Sequence, residues 1–201
     1  MVTVKLYVEG GGNRNSLRSG CREGFRKFLE NGFKGRMPRV VACGSRRDTY
    51  EDFKTACEKG DRSLMLIDSE DFVTVGMSPW QHLANRQGDG FTKPPKASDE
   101  HCHFMVVCME SWFLADKEIL ARYFDQGFNE KSLPQNLSIE GIAKNNIFSG
   151  LKAATSDCKT KGQYEKGRDS FKILGLLTPD KISAASPWAK RFFDHLEVIM
   201  K

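Results

Sequence analysis

The stretch VTVKLYVEGGGN, residues 2 to 13, constrains the fold of this chain more than any other. Val2, Val4, Leu6 and Val8 alternate with Thr3, Lys5 and Tyr7, the period of a strand with one well-buried face. Glu9 follows the last apolar residue, and three glycines then let the backbone turn sharply and approach whatever Glu9 faces. An amphipathic helix is expected next, over 16–30, with Leu17, Cys21, Phe25, Phe28 and Leu29 inward, Asn15 or Ser16 as N-cap and Gly32 as the stop. In an open α/β sheet, ligands sit in the crevice beyond the carboxyl ends of the strands, so an acid there marks a candidate site.

The rhythm repeats. Residues 39–43 (RVVAC) read as a short strand ending in Gly44-Ser45, with Arg46 and Arg47 in the turn and a helix capped by Asp48 running to Glu58. Strand, helix, strand, helix predicts a parallel sheet with right-handed crossovers, so that all strand ends share one edge. Arg46 and Arg47 then lie beside Glu9, where a guanidinium can hold a phosphate through two hydrogen bonds. A third strand, SLMLI at 63–67, is continuously apolar, as an interior parallel strand should be, and ends in Asp68-Ser69-Glu70-Asp71. Extended backbone would point Asp68 and Glu70 the same way, offering hard oxygen donors to Mg²⁺ or Mn²⁺. A fourth strand, 104–108, delivers Glu110 to the start of a helix with Trp112, Phe113, Ile119, Leu120, Tyr123 and Phe124 inward. Two readings of Glu110 stand: metal or substrate contact, or a favourable charge at the positive end of the helix. Asp116 lies on the inward stripe and must either serve the site or be paired, with an arginine or a backbone amide as the expected partner.

These residues resemble a family. A strand ending Val8-Glu9-Gly10 and another ending Asp68-x-Glu70 resemble the Toprim domain of type II topoisomerases, primases and the OLD-type (overcoming lysogenisation defect) nucleases. The run Cys108 to Asp116, Tyr164-x-Lys166 and Ser186-Pro187 resemble a small group of Toprim-like proteins over nearly the whole chain. The resemblance implies acid/base or metal duty for Glu9 and divalent metal held at Asp68 and Glu70, where Glu70 replaces the usual second aspartate. It also implies an ABC- or AAA-type ATPase partner in anti-phage defence.

The expected architecture is a Toprim-like α/β core over 1–124, with a parallel sheet flanked by helices and an irregular insertion at 72–100. A helical extension over 125–201 packs on it within the same domain. In the insertion, Ser78-Pro79 opens a short helix with Trp80 and Leu83, while Gly88-Asp89-Gly90 and Pro94-Pro95 read as an exposed connection. In the extension, Ser138 is expected to cap a helix over 139–151 and Ser186-Pro187 to open a final one carrying Trp188, Phe192, Leu196 and Ile199 inward.

With 31 Lys and Arg against 26 Asp and Glu, the formal charge of +5 permits a nucleic-acid partner. Candidate contacts are Arg14, Arg18, Arg22 and Arg26, spaced every fourth residue along one helix flank, together with Arg46, Arg47 and Lys166. The row either tracks phosphates or forms a solvated face. The basic loop of Lys159, Lys161, Lys166 and Arg168 around Tyr164 invites the same pair of readings. Six cysteines without a CxxC pair read as reduced, buried thiols in a cytoplasmic protein, and no apolar stretch is long enough to span a membrane. His101 and His103 alternate with Cys102, which argues against a shared zinc, and His195 is read as a polar-face residue. The glycine turn lacks the Gly-Lys-Ser/Thr ending of a P-loop, which disfavours an NTPase. At 201 residues the chain has no room for a topoisomerase DNA gate or a primase template apparatus. The expected function is therefore a metal-dependent nuclease acting on DNA or RNA. The alternative is a catalytically inactive Toprim-like binding or regulatory subunit of an ATPase complex.

Overall fold

The computed structural model describes residues 3–12, 14–33, 37–136 and 138–201; Val2 and Asn13, the two ends of the opening strand and turn, lie outside them. Four parallel strands, β1 (Lys5–Gly11), β2 (Arg39–Gly44), β3 (Ser63–Asp68) and β4 (Cys102–Met105), form one sheet in the order β2-β1-β3-β4. The parallel α/β sheet flanked by helices is the expected fold. Helices α1 (Asn15–Gly32) and α2 (Arg46–Glu58) make the first two crossovers. Because the chain moves from β1 outward to β2 and then back across β1 to β3, right-handed crossovers place α1 and α2 on opposite faces.

Both faces of β1 are consequently covered, not one. Leu6 and Val8 are fully buried, and Tyr7, expected outside, is buried too, its ring edge-on to Phe53 of α2 at 6.4 Å between centroids. On the α1 side, Phe28 packs on Trp112 and on Phe193 of the final helix α8 (Pro187–Met200), which also covers β4.

Several expected boundaries move. The α1 N-cap position is Arg14, whose backbone is extended and which makes no side-chain cap. Ser45, not Asp48, caps α2; Asp48 sits three residues on and completes a capping box with Ser45. Strand β4 runs over Cys102–Met105 rather than 104–108, and Met109–Ala115 coils as a 3₁₀ helix before α4 (Lys117–Phe124). The helix expected over 139–151 is interrupted: Ile139–Gly141 makes a short 3₁₀ turn, Ile142 and Ala143 are extended, and α5 begins at Lys144 and ends at Ala154. Ser186 does cap α8, accepting from the Ala189 amide. Helices α3 (Pro79–Asn85), α6 (Ser170–Leu174) and α7 (Pro179–Ala185) complete the list of α-helices among the described residues.

The segment expected to be an exposed connection is exposed at Gly88, Gly90 and Pro95 but anchored to the body by the side chains between them. Phe91 is buried and stacks on Tyr50 of α2 at 4.3 Å, while the Asp89 side chain is 4% exposed. All six cysteines are free and buried. Among the described residues, no helix is long and apolar enough to cross a membrane.

Candidate metal centre

The strand order reverses between β1 and β3, and the carboxyl ends of these two strands carry Glu9 and Asp68. With Glu70 they bring one carboxylate oxygen each to within 4.8 Å of one another, the one such cluster among the described residues. Asp68 and Glu70 do not converge by strand alternation, since β3 ends at Asp68. The Ser69 and Glu70 amides instead donate to the end of β4 and the chain beyond it, to the Met105 and Val107 carbonyls at 3.1 and 2.8 Å. Glu70 then adopts a left-handed backbone conformation, φ 67°, which a glutamate adopts at a cost and which turns its carboxylate back to the cluster.

The glycine turn fits tightly. Gly11, at φ +87°, lies so close to the first turn of α1 that a Cβ there would stand 2.7 Å from Arg18 backbone atoms. Arg18 Nε donates to the Gly12 carbonyl at 2.8 Å. This member of the arginine row therefore fastens the turn. Arg14 and Arg22 are exposed, and Arg26 is held by Glu23 and Glu30 on its own helix.

Each acid of the cluster already has a partner. Arg46 Nη1 lies 3.4 Å from Glu9 Oε2 and donates to the Asp68 carbonyl, and its other nitrogens make a two-point ion pair with Asp89 at 2.7 to 3.0 Å. Asp68 Oδ1 accepts from the Met109 amide at 2.8 Å, and Glu70 is ion-paired with Lys144 of α5. Arg47 projects outward, its guanidinium 5.9 Å from the Phe91 ring. Asp89 and Lys144 escape sequence reasoning, because the first sits in a segment that reads as loop and the second is an ordinary helical lysine.

Beyond the cluster opens a cleft of about 340 Å³, lined by Glu9, Asp68, the three glycines, Glu110 and Lys166. Glu110 is fully buried and stands apart from the three clustered acids. Its Oε1 accepts from the Tyr164 hydroxyl at 3.0 Å and from Ser170 at 3.2 Å. Its Oε2 has no hydrogen-bond partner among the described residues and lies 3.9 Å from Lys166 Nζ. Tyr164 is 2% exposed and spent on this contact, so within the basic loop it is the lysines and Arg168, not the ring, that face solvent. Asp116, by contrast, is fully paired, with the Thr178 amide and Lys181.

The electrostatics are those of crowded carboxylates. Burial, then the charges of Glu9 and Glu110, raise Asp68 well above the usual carboxylate range. Burial also raises Glu9, against the lowering pull of Arg46 and with a further raise from Glu70. Burial pulls Lys166 down, but Glu110 and Asp68 more than compensate, so it lies above the ordinary lysine value. Hard oxygens this close, held at an energetic cost in their ionised form, fit a divalent cation.

Three of the four histidines lie away from the cluster, while the buried His82 meets the Ser69 carbonyl, between Asp68 and Glu70 in the chain, at 2.9 Å. His103, fully buried on β4, meets His195 at 3.1 Å and Arg191 at 3.1 Å, so His195 packs against the sheet instead of on a polar face. His101 is engaged by Ser98.

Among comparisons with known proteins, residues 8–197 match the model of a family described as "Domain of unknown function (DUF4276)". No curated protein and no solved structure matches.

Proposed function

The chain belongs to the DUF4276 family, and we propose that in this member the acidic cleft carries out metal-dependent hydrolysis of phosphodiesters in DNA or RNA. The observation that carries this reading is the convergence of Glu9, Asp68 and Glu70 within 4.8 Å at the switch point of a parallel sheet. In it, Asp68, Glu70 and Glu9 would hold Mg²⁺ or Mn²⁺, with Glu110 lining the same cleft. Bound there, the ion supplies charge neutralisation at phosphate oxygens and a lowered pKa for water.

The protein's own groups do the rest. Glu9, raised by burial, is suited to hold or pass a proton at its carboxylate. Lys166 reaches into the cleft as a cation for a phosphate oxygen, and Arg46, pinned by Asp89, keeps a fixed positive charge behind Glu9 and Asp68. The Toprim-like resemblance extends the proposal to the cellular setting: a cytoplasmic nuclease effector whose trigger is an ABC- or AAA-type ATPase in anti-phage defence.

A second reading, an inactive binding subunit of such a complex, is favoured by one observation: Glu9 and Glu70 are both already neutralised by a basic side chain. One experiment separates the two. Purified protein is incubated with tRNA, single-stranded DNA and duplex DNA in Mg²⁺ or Mn²⁺, alone and with an ATPase encoded beside it, in parallel with Glu9→Gln and Asp68→Asn. Cleavage that both variants lose while keeping wild-type melting behaviour supports the nuclease; absence of cleavage under every condition supports the binding subunit.

A further inference from the structure

Immediately beyond the acidic cluster the chain presents an aromatic ring to solvent. Phe72, two residues after Glu70, is 54% exposed, although most phenylalanines of this chain are buried. Two residues of chain span at most about 7 Å, so the ring stands at the rim of the candidate centre. It forms one wall of an open groove of about 570 Å³, whose other walls are α5 from Asn146 to Ala153, the residues 141–143 before it, and residues of 132–136. The polar groups along that groove are the exposed amides of Asn136 and Asn146 and the hydroxyls of Ser132 and Ser149. Groove and cluster meet at the first turn of α5: Ala143 and Asn146 line the groove, and Lys144 between them binds Glu70.

The geometry points to a nucleobase subsite, in which a base stacks on Phe72 while the adjoining phosphate lies at Lys144 and the acidic cluster. This rests on the proposed phosphodiester chemistry and narrows its substrate to single-stranded nucleic acid or an unpaired end. A π-face on an aromatic ring beside a cation is the recurring single-strand platform. A base inside a duplex has both faces occupied by its neighbours, so it cannot lie on the ring without leaving the stack. The groove's lining is mixed, with Leu133, Pro134 and Ile142 among the amides and hydroxyls, so a flat ring with polar edges, such as a base, meets an apolar face and hydrogen-bonding partners together.

The test uses full-length protein carrying Asp68→Asn to prevent cleavage, with fluorescein-labelled single strands and the matching duplexes read by anisotropy. Single strands should bind more tightly than duplexes. Adding Phe72→Ala should weaken single-strand binding roughly tenfold and leave duplex binding unchanged, while Phe72→Trp should retain or improve it. Phe72 is half exposed, so both variants should keep the fold, which the melting curve checks. Equal single-strand affinity with and without the ring overturns the subsite, even where metal-dependent cleavage by the unmutated protein persists, and assigns the exposed loop to a protein partner. If no nucleic acid binds and the unmutated protein cleaves none, the subsite and the nuclease reading fall together.

Discussion

Two buried acids at opposite ends of one short 3₁₀ segment show how differently this molecule treats a carboxylate. Glu110 and Asp116 are 0% and 1% exposed. Asp116 faces α7, where the Thr178 amide and Lys181 satisfy one oxygen each at 3.1 and 2.8 Å. Glu110 faces the cleft, where two hydroxyls crowd on one oxygen and the other has none. A buried acid with both oxygens satisfied joins two pieces of the chain. Glu110, hydrogen-bonded through a single oxygen, leaves the other as a buried acceptor answered, among the described residues, only by the Lys166 ammonium 3.9 Å away, beside the cleft.

The largest expected difference is in activity. Glu110→Gln keeps the acceptor for Tyr164 and Ser170 but loses the charge, and should reduce metal-dependent cleavage by roughly 10- to 100-fold, measured at fixed Mn²⁺. Asp116→Ala should leave the rate per folded molecule within about twofold of the unmutated protein. If the two variants lose activity equally, the distinction between them is wrong.

Next in size is stability, where the order should invert. Asp116→Ala strands the Thr178 amide and should lower unfolding free energy by about 2 kcal/mol, visible in urea melts. Glu110→Gln should change it by less than about 0.5 kcal/mol. A Gln variant as unstable as the Ala variant would make Glu110 a structural acid as well.

A third, smaller effect follows from pH. Glu9 and Asp68 have folded pKa values above their unfolded ones of about 4, so the folded state binds more protons across that window. Stability of the metal-free protein should accordingly fall as pH rises from about 4 through the raised values. An added divalent ion replaces those protons, so the rise in melting temperature with Mn²⁺ should be greater at pH 8 than at pH 5. A shift independent of pH would detach the metal effect from these two acids.

The smallest expected effect concerns the arginine row. Arg18 is engaged by Gly12, whereas Arg22 is free of such a contact among the described residues. If both touch phosphates, changing the pair to Gln should reduce the slope of log affinity against log salt by one to two units, roughly 0.7 to 0.9 per phosphate contact. A reduction of half that size would fit Arg22 alone, and none would leave the row a solvated face.

The central geometry was legible in the sequence because it follows from chain path. Alternation marks β1, an unbroken apolar run marks β3, and parallel pairing with crossovers on both faces forces their ends together, carrying Glu9 and Asp68 with them. Glu70 was found for a partly mistaken reason: it arrives through a left-handed turn and not through strand alternation. What could not be read depends on contacts between distant segments. Asp89 looks like a turn residue until Arg46 is seen to need a counter-charge, and Lys144 is one helical lysine among many. Tyr164 reads as an aromatic in a basic loop, yet its burial against Glu110 depends on the packing of α6. The interruption before α5 escaped because Gly141 was absorbed into an apolar helical pattern.

The assembly of the cleft from remote segments has a kinetic meaning. Glu9, Asp68, Glu110 and Lys166 come from β1, β3, the 3₁₀ segment and the loop before α6, so no hairpin or local helix pair contains the site. Parallel pairing already makes the sheet slow to nucleate, since long loops must close before the strands gain anything from meeting. A cation captured by Glu9, Asp68 and Glu70 would find its ligands together only after β1 and β3 have paired and the turn after β3 has docked on residues 105–107. Its stabilisation would then be expressed in the rate of unfolding, with the folding rate unaltered, and the bound state would be guarded by a barrier to losing the metal as much as by affinity.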